Sequence, residues 1–199
     1  MADPLNEPKD LVESNLDSQS VVGAAGGTVQ QLLFYMARRN AGAFAITETL
    51  NQAVSDNAAK VISLSRGWCE ADAKADGTLP VEEQIFTVAA AQDQTISVSS
   101  GDQGVYSCGK GVPGGTNYTV AWPSPSPNVI SVGGTTLYTS DTGDYASETV
   151  WNDGVEDRAL SATGGAATCL VHLLATFWQK PLNPKKVEHS KEFVLDKVS

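Results

Sequence analysis

The 199-residue chain reads as an α/β protein built on a parallel sheet. Two observations predict this. Short runs rich in β-branched residues alternate with longer stretches of helical period, and the residues best suited to chemistry follow directly after those short runs. A composition of 41% hydrophobic, 18% charged and 7% aromatic residues supports a folded core and argues against wholesale disorder.

Taken in order, the segment from Leu11 to Val22 carries Leu11, Val12, Leu16, Val21 and Val22 in a pattern compatible with a helix. Val29 to Met36 reads as a strand. Phe44, Ile46, Leu50, Ala53 and Val54 form a helical stripe. Lys60 to Ser65 is a β-branched run of the kind buried on both faces of a parallel sheet. A helix is predicted over Leu79–Ala91, with Pro80 in its first turn and Glu82 and Glu83 close behind. Thr95–Ser100 and Asn128–Val132 are further buried strands. In open sheets of this type, sites lie beyond the C-terminal ends of the strands.

Charge excludes one function class. Lys plus Arg number 13 against 23 Asp plus Glu, a formal charge of −10, the wrong sign for a protein that tracks nucleic-acid phosphates. No apolar run approaches the ~18 residues of a membrane span. The opening Met1-Ala2-Asp3-Pro4 has neither basic nor apolar signal-peptide character, so no signal peptide is expected. The three Cys are too few for a disulfide scaffold and the two His too few for most metal sites. Residues 1–165 carry a balance of −12, whereas residues 166–199 carry +2 and hold both His172 and His189. That shift marks a boundary near Gly164-Gly165.

Several residues could carry chemistry. Glu13 and Asp17, four apart, would share one helix face, where like charges raise at least one carboxyl pKa; the alternative is a solvated acidic face. Ser99-Ser-Gly-Asp-Gln-Gly104 follows a strand and would present Asp102 at its edge; the alternative is an Asp bonding its own turn. Ser65, Arg66 and Gly67 also follow a strand, as a short extended segment able to pair with a peptide. Cys69 and Cys108 follow those same two strands. They could form a bridge closing about 40 residues, or remain two reduced thiols. Other patterns are look-alikes. Gly109–Gly114 matches G-x-G-x-x-G without a following helix, and the calcium-loop pattern Asp72–Glu83 places Lys74 where an oxygen ligand is needed. Cys169 and His172 supply only two zinc ligands.

Four segments occur in order: Glu13-Ser-Asn-Leu-Asp17-Ser-Gln-Ser, Ser65-Arg-Gly-Trp-Cys69-Glu, Ser99-Ser-Gly-Asp102-Gln-Gly and Pro127-Asn-Val-Ile-Ser-Val-Gly-Gly-Thr-Thr136. Together they resemble the sedolisin family of serine-carboxyl peptidases, nearly continuously from Leu11 to Gly165. The resemblance implies a subtilisin-like, mostly parallel doubly wound sheet, here incomplete, and acid-pH hydrolysis of peptide bonds in proteins or peptides. It implies residues 1–165 as a partial catalytic domain and 166–199 as a divergent, weakly structured tail. By the same resemblance Glu13 matches the general base and Asp17 the carboxylate that orients it. Asp102 matches the oxyanion-hole residue, Ser65 to Gly67 the peptide-lining segment, and Cys69–Cys108 a disulfide. The family is exported, so an extracellular setting is implied.

The departures are as informative. The family nucleophile lies in a Gly-Thr-Ser motif, and these residues contain none. The family calcium site, built after that serine, is expected to be missing, so no metal or other cofactor is expected. Arg66 stands where the family is usually apolar. The expectation is a chain inactive alone. Its alternatives are a peptide-binding pseudoenzyme or one half of a split peptidase whose partner supplies the C-terminal part.

Overall fold

The computed structural model describes residues 8–37, 43–109, 118–156 and 158–164. The expectations for residues 166–199, including Cys169, His172 and His189, and most of the Gly109–Gly114 pattern, lie outside those residues. Helix α1 spans Pro8–Ala24 and α2 spans Ala43–Asp56. Strand β1 (Val61–Leu64) leads through residues 65–67 to β2 (Trp68–Cys69), then α3 (Glu70–Asp76), α4 (Thr78–Ala91) and β3 (Thr95–Ser99). A single 3-10 turn follows at Ser107–Gly109. Beyond it come β4 (Ala121–Trp122), β5 (Ile130–Val132), β6 (Thr135–Thr139), β7 (Tyr145–Val150), β8 (Asn152–Glu156) and β9 (Ala159–Ala162).

The central sheet has the order β1-β3-β5, and both of its pairings are parallel. Ile96, Ser97 and Val98 of β3 are buried, as befits its middle position. Leu50 and Val54 from α2, Ala73 from α3, and Ile85, Phe86 and Ala89 from α4 pack against Ile96 and Val98 to form the core. Helix α4 starts where Asp76 Oδ1 accepts the backbone N–H of Thr78 at 2.9 Å and its hydroxyl at 2.7 Å. This replaces helix-end partners that the first turn lacks. Antiparallel pairing is confined to short units: β2 with β4, β6 with β7, and β8 with β9.

Two expectations need correction. Lys60–Ser65 is not buried on both faces: β1 is half-buried with Ser63 exposed, because it lies at an end of the described sheet and pairs only with β3. Val29–Met36 forms no strand. Among the described residues it joins no ladder, and Phe34 is 56% exposed. A strand needs a neighbour to take up its backbone groups, and this run of Gln, Leu and Met is poor in β-branched residues that would favour one. Asp72 to Asp76 lie within α3, so the calcium-loop pattern is helix rather than loop.

The core contains one acid. Glu82 of α4 is 0% exposed. Its Oε1 accepts the hydroxyl of Thr47 in α2 at 2.7 Å, and its Oε2 accepts the indole N–H of Trp122 in β4 at 2.6 Å. One carboxyl thus links three elements. Burial pushes its pKa up, against the opposing pull of the Thr47 and Trp122 hydrogen bonds, and the charge of Asp76 adds to the rise. A carboxyl raised in the folded state stabilises the fold fully below its unfolded pKa, and this contribution is lost as pH rises through the folded pKa. Glu82→Gln keeps an acceptor for Trp122 and cannot ionise. We expect its Tm to match that of the wild type near pH 3–4 and to exceed it increasingly towards pH 8, measured by thermal unfolding. Parallel pH profiles would show that Glu82 does not titrate on unfolding.

Candidate active site

The site forms where β1 and β3, adjacent and parallel, end on the same edge of the sheet. The segment leaving β1 is Ser65-Arg66-Gly67, which joins no ladder among the described residues, and Arg66 is exposed. The segment leaving β3 is the turn that carries Asp102, which is also exposed. Between them lies Ala121 of β4, buried.

Glycine is required on both sides of that residue. A Cβ on Gly67 would stand 2.8 Å from the Ala121 methyl and 3.1 Å from the Trp122 carbonyl oxygen; one on Gly101 would stand 2.9 Å from the same methyl. Gly101 also has φ +93°, a conformation that side chains disfavour. The two walls of the edge therefore meet backbone-close across one methyl group. Further along, the Asp102 carbonyl accepts the N–H of Ala162 at 2.9 Å, and the Gly101 carbonyl accepts that of Gly164 at 2.8 Å. The end of β9 thereby holds the turn from its other side. Thr163 Oγ1 lies 3.1 Å from Ser100 Oγ and accepts the N–H of Gly134 at 2.8 Å. The sequence offered no signal for Ala121 or Thr163.

Helix α1 contributes the acid pair. Glu13 is exposed and Asp17 half-buried, one helical turn apart. The hydroxyl of Ser65 donates to Asp17 Oδ1 at 2.9 Å, so the helix is tied to the segment leaving β1. Burial raises the Asp17 pKa, and the Ser65 hydrogen bond works against the rise. A half-buried carboxyl of this kind holds its proton to higher pH than an exposed one, which suits acid–base work in an acidic medium. Ser65 had been read for its backbone alone; its side chain adds this second contact.

Cys69, at the end of β2, is bonded to Cys108 in the 3-10 turn, with Cα atoms 4.4 Å apart and 39 positions between them in sequence. The bond fastens the chain beyond the Asp102 turn to the base of the peptide-lining segment. Among the described residues no group of three or more His, Cys, Asp or Glu could hold a metal ion, and no helix is long and apolar enough to cross a membrane.

A parallel sheet with an acid pair, an extended unpaired segment and an Asp-bearing glycine turn along one strand-end edge defines a subtilisin-like α/β domain. The chain belongs to the subtilase family, whose model matches residues 14–187. It is 64% identical over 156 residues to sedolisin of Pseudomonas sp. (strain 101), covering 77% of this chain and 27% of that protein. Xanthomonalisin of Xanthomonas sp. (strain T-22) is 37% identical over 225 residues, covering 98% and 27%. Kumamolisin of Bacillus sp. (strain MN-32) is 31% identical over 180 residues, covering 89% and 30%. Among solved structures, Pseudomonas sedolisin, a serine-carboxyl proteinase complexed with two molecules of pseudo-iodotyrostatin, superposes with a TM-score of 0.77 at 60% identity. That match covers 80% of this chain and 44% of that one. The chain thus spans less than a third of the length of these curated relatives.

Reduction of Cys69–Cys108 releases a loop whose closure is worth about 4 kcal/mol on the chain-entropy model. Thermal unfolding with and without a reductant should show a fall of roughly 8–16 °C. An unchanged Tm would mean that the bond adds nothing to the stability of this edge.

Proposed function

We propose that this chain supplies the acid–base part of a serine-carboxyl endopeptidase that hydrolyses peptide bonds at acidic pH. The observation that carries the reading is the shared strand-end edge, where Asp17 is held by Ser65 and the Asp102 turn packs across Ala121 from Gly67. In this scheme Glu13 takes the proton from a serine hydroxyl as its oxygen attacks the peptide carbonyl carbon, and Asp17 orients Glu13. Protonated Asp102 donates a hydrogen bond to the carbonyl oxygen as it becomes an oxyanion. The C–N bond then breaks, Glu13 returns its proton to the departing amine, and water hydrolyses the acyl ester in the reverse sequence of proton transfers. Ser65 to Gly67 receive the peptide as an extended strand. Because Asp102 must be protonated to donate, activity belongs to acid pH. The substrate is a peptide or protein, not nucleic acid, and the setting is extracellular.

These 199 residues hold no Gly-Thr-Ser motif, and removal of the serine in subtilisin costs on the order of 10⁶ in kcat. Taken alone they are therefore proposed to be silent. They act without a metal, as a partial catalytic domain over 1–165 with a divergent tail at 166–199. The unpaired backbone of 65–67 favours one second reading, a peptide-binding protein without catalysis. Cleavage of a denatured protein at pH 3–5 distinguishes them. The 199-residue chain should show none, while addition of a polypeptide carrying the remaining part of a sedolisin catalytic domain should restore cleavage that Glu13→Gln abolishes. Glu13-dependent cleavage by the chain alone refutes the silence. Peptide binding without restored cleavage supports the second reading.

A further inference from the structure

We propose that Ser65 is a positioning residue, whose hydroxyl ties the peptide-lining segment to Asp17 and sets the pH at which that carboxyl releases its proton. The inference rests on the proposed role of Asp17 and extends it to a residue otherwise valued for its backbone.

Ser65 is the first residue beyond β1, while Asp17 lies 48 positions earlier in the third turn of α1. Their 2.9 Å contact is the bond by which the acid-bearing helix reaches the segment that would hold a peptide. Both side chains are half-buried. A hydroxyl donated to a carboxylate favours its charged form, whereas burial favours the neutral one, and at Asp17 the two act in opposition with burial the larger. Removing the hydroxyl leaves burial unopposed. The other charged groups on the elements around this contact are Glu13 on the same helix, Arg66 beside Ser65 and Asp102 beyond β3. Arg66 is exposed, so solvent weakens its effect on Asp17.

The coupling runs both ways. A peptide strand laid along residues 65–67 bears on the residue that holds Asp17, and the protonation of Asp17 bears on the fit of that strand. A peptide bound along 65–67 should therefore shift the titration of Asp17, and the shift should vanish when Ser65 lacks its hydroxyl.

The test is a pH titration of the folded 199-residue chain by NMR with ¹³C-labelled Asp carboxyls, alongside Tm. We expect Ser65→Ala to raise the Asp17 midpoint by about one pH unit, roughly tenfold in proton affinity. Ser65→Thr should restore it, and Arg66→Ala should move it by less than half as much. A residue that only supported the fold would lower Tm and leave the midpoint in place. If Ser65→Ala does not fold, Ser65→Cys, a weaker donor of similar size, should raise the midpoint in the same direction. The proposal is overturned if the midpoint is unmoved in a folded Ser65 variant, or if Ser65→Thr shifts it as far as Ser65→Ala. Failure of the underlying reading looks different: Asp17→Asn in the complemented enzyme would keep full peptidase activity while the Ser65-dependent shift persists.

Discussion

The methyl group of Ala121 is the point on which the strand-end edge depends. It fills the space that a Cβ would need on either Gly67 or Gly101, so the segment leaving β1 and the turn leaving β3 are set at a fixed separation. Interiors packed this closely have few alternative arrangements. Neither wall can move outward or inward without losing the contact or creating an overlap. The disulfide from Cys69 to Cys108 and the hydrogen bonds from Ala162 and Gly164 then fasten the same two segments from outside. What Ala121 spaces, these bonds keep in register.

Two carboxyls of different purpose share one electrostatic condition. Asp17 is half-buried at the edge, Glu82 is buried in the core, and in both burial raises the pKa against opposing hydrogen bonds. The sign is the same for stability: each favours the folded state more at acid pH than at neutral pH. A protein with 23 acidic side chains also relieves its mutual repulsion as those groups protonate. The arrangement that would suit carboxyl-based catalysis is thus matched by a core that prefers the same medium.

Much of the frame was legible. The apolar stripes of residues 11–22, 44–54 and 79–91 fixed three helices, because a helix declares itself within one or two turns of local sequence. The β-branched runs around Ile96 and Ile130 marked the buried strands. Val29–Met36 misled because apolar content alone does not create a neighbouring strand. The hairpins β6–β7 and β8–β9 went unread because their strands are short and largely exposed, so their pattern is weak. The site was legible through ordered motifs, which located Glu13, Asp17, Ser65 and Asp102. The contacts that hold it were not. Glu82 meets partners 35 and 40 positions away, Ser65 meets one 48 positions away, and Ala121 is a small residue in an unremarkable stretch. Such pairings exist only once the chain has folded.

A double-mutant cycle at Gly67 and Ala121, read by denaturant unfolding, tests the spacing role of that methyl group most directly. Gly67→Ala alone should cost about 1–3 kcal/mol from overpacking. Combined with Ala121→Gly, which opens the space, the total should fall short of the sum of the two single changes by about 1 kcal/mol or more. Energies that add to within about 0.3 kcal/mol would mean that the two walls do not meet across Ala121, and the account of the edge would be wrong.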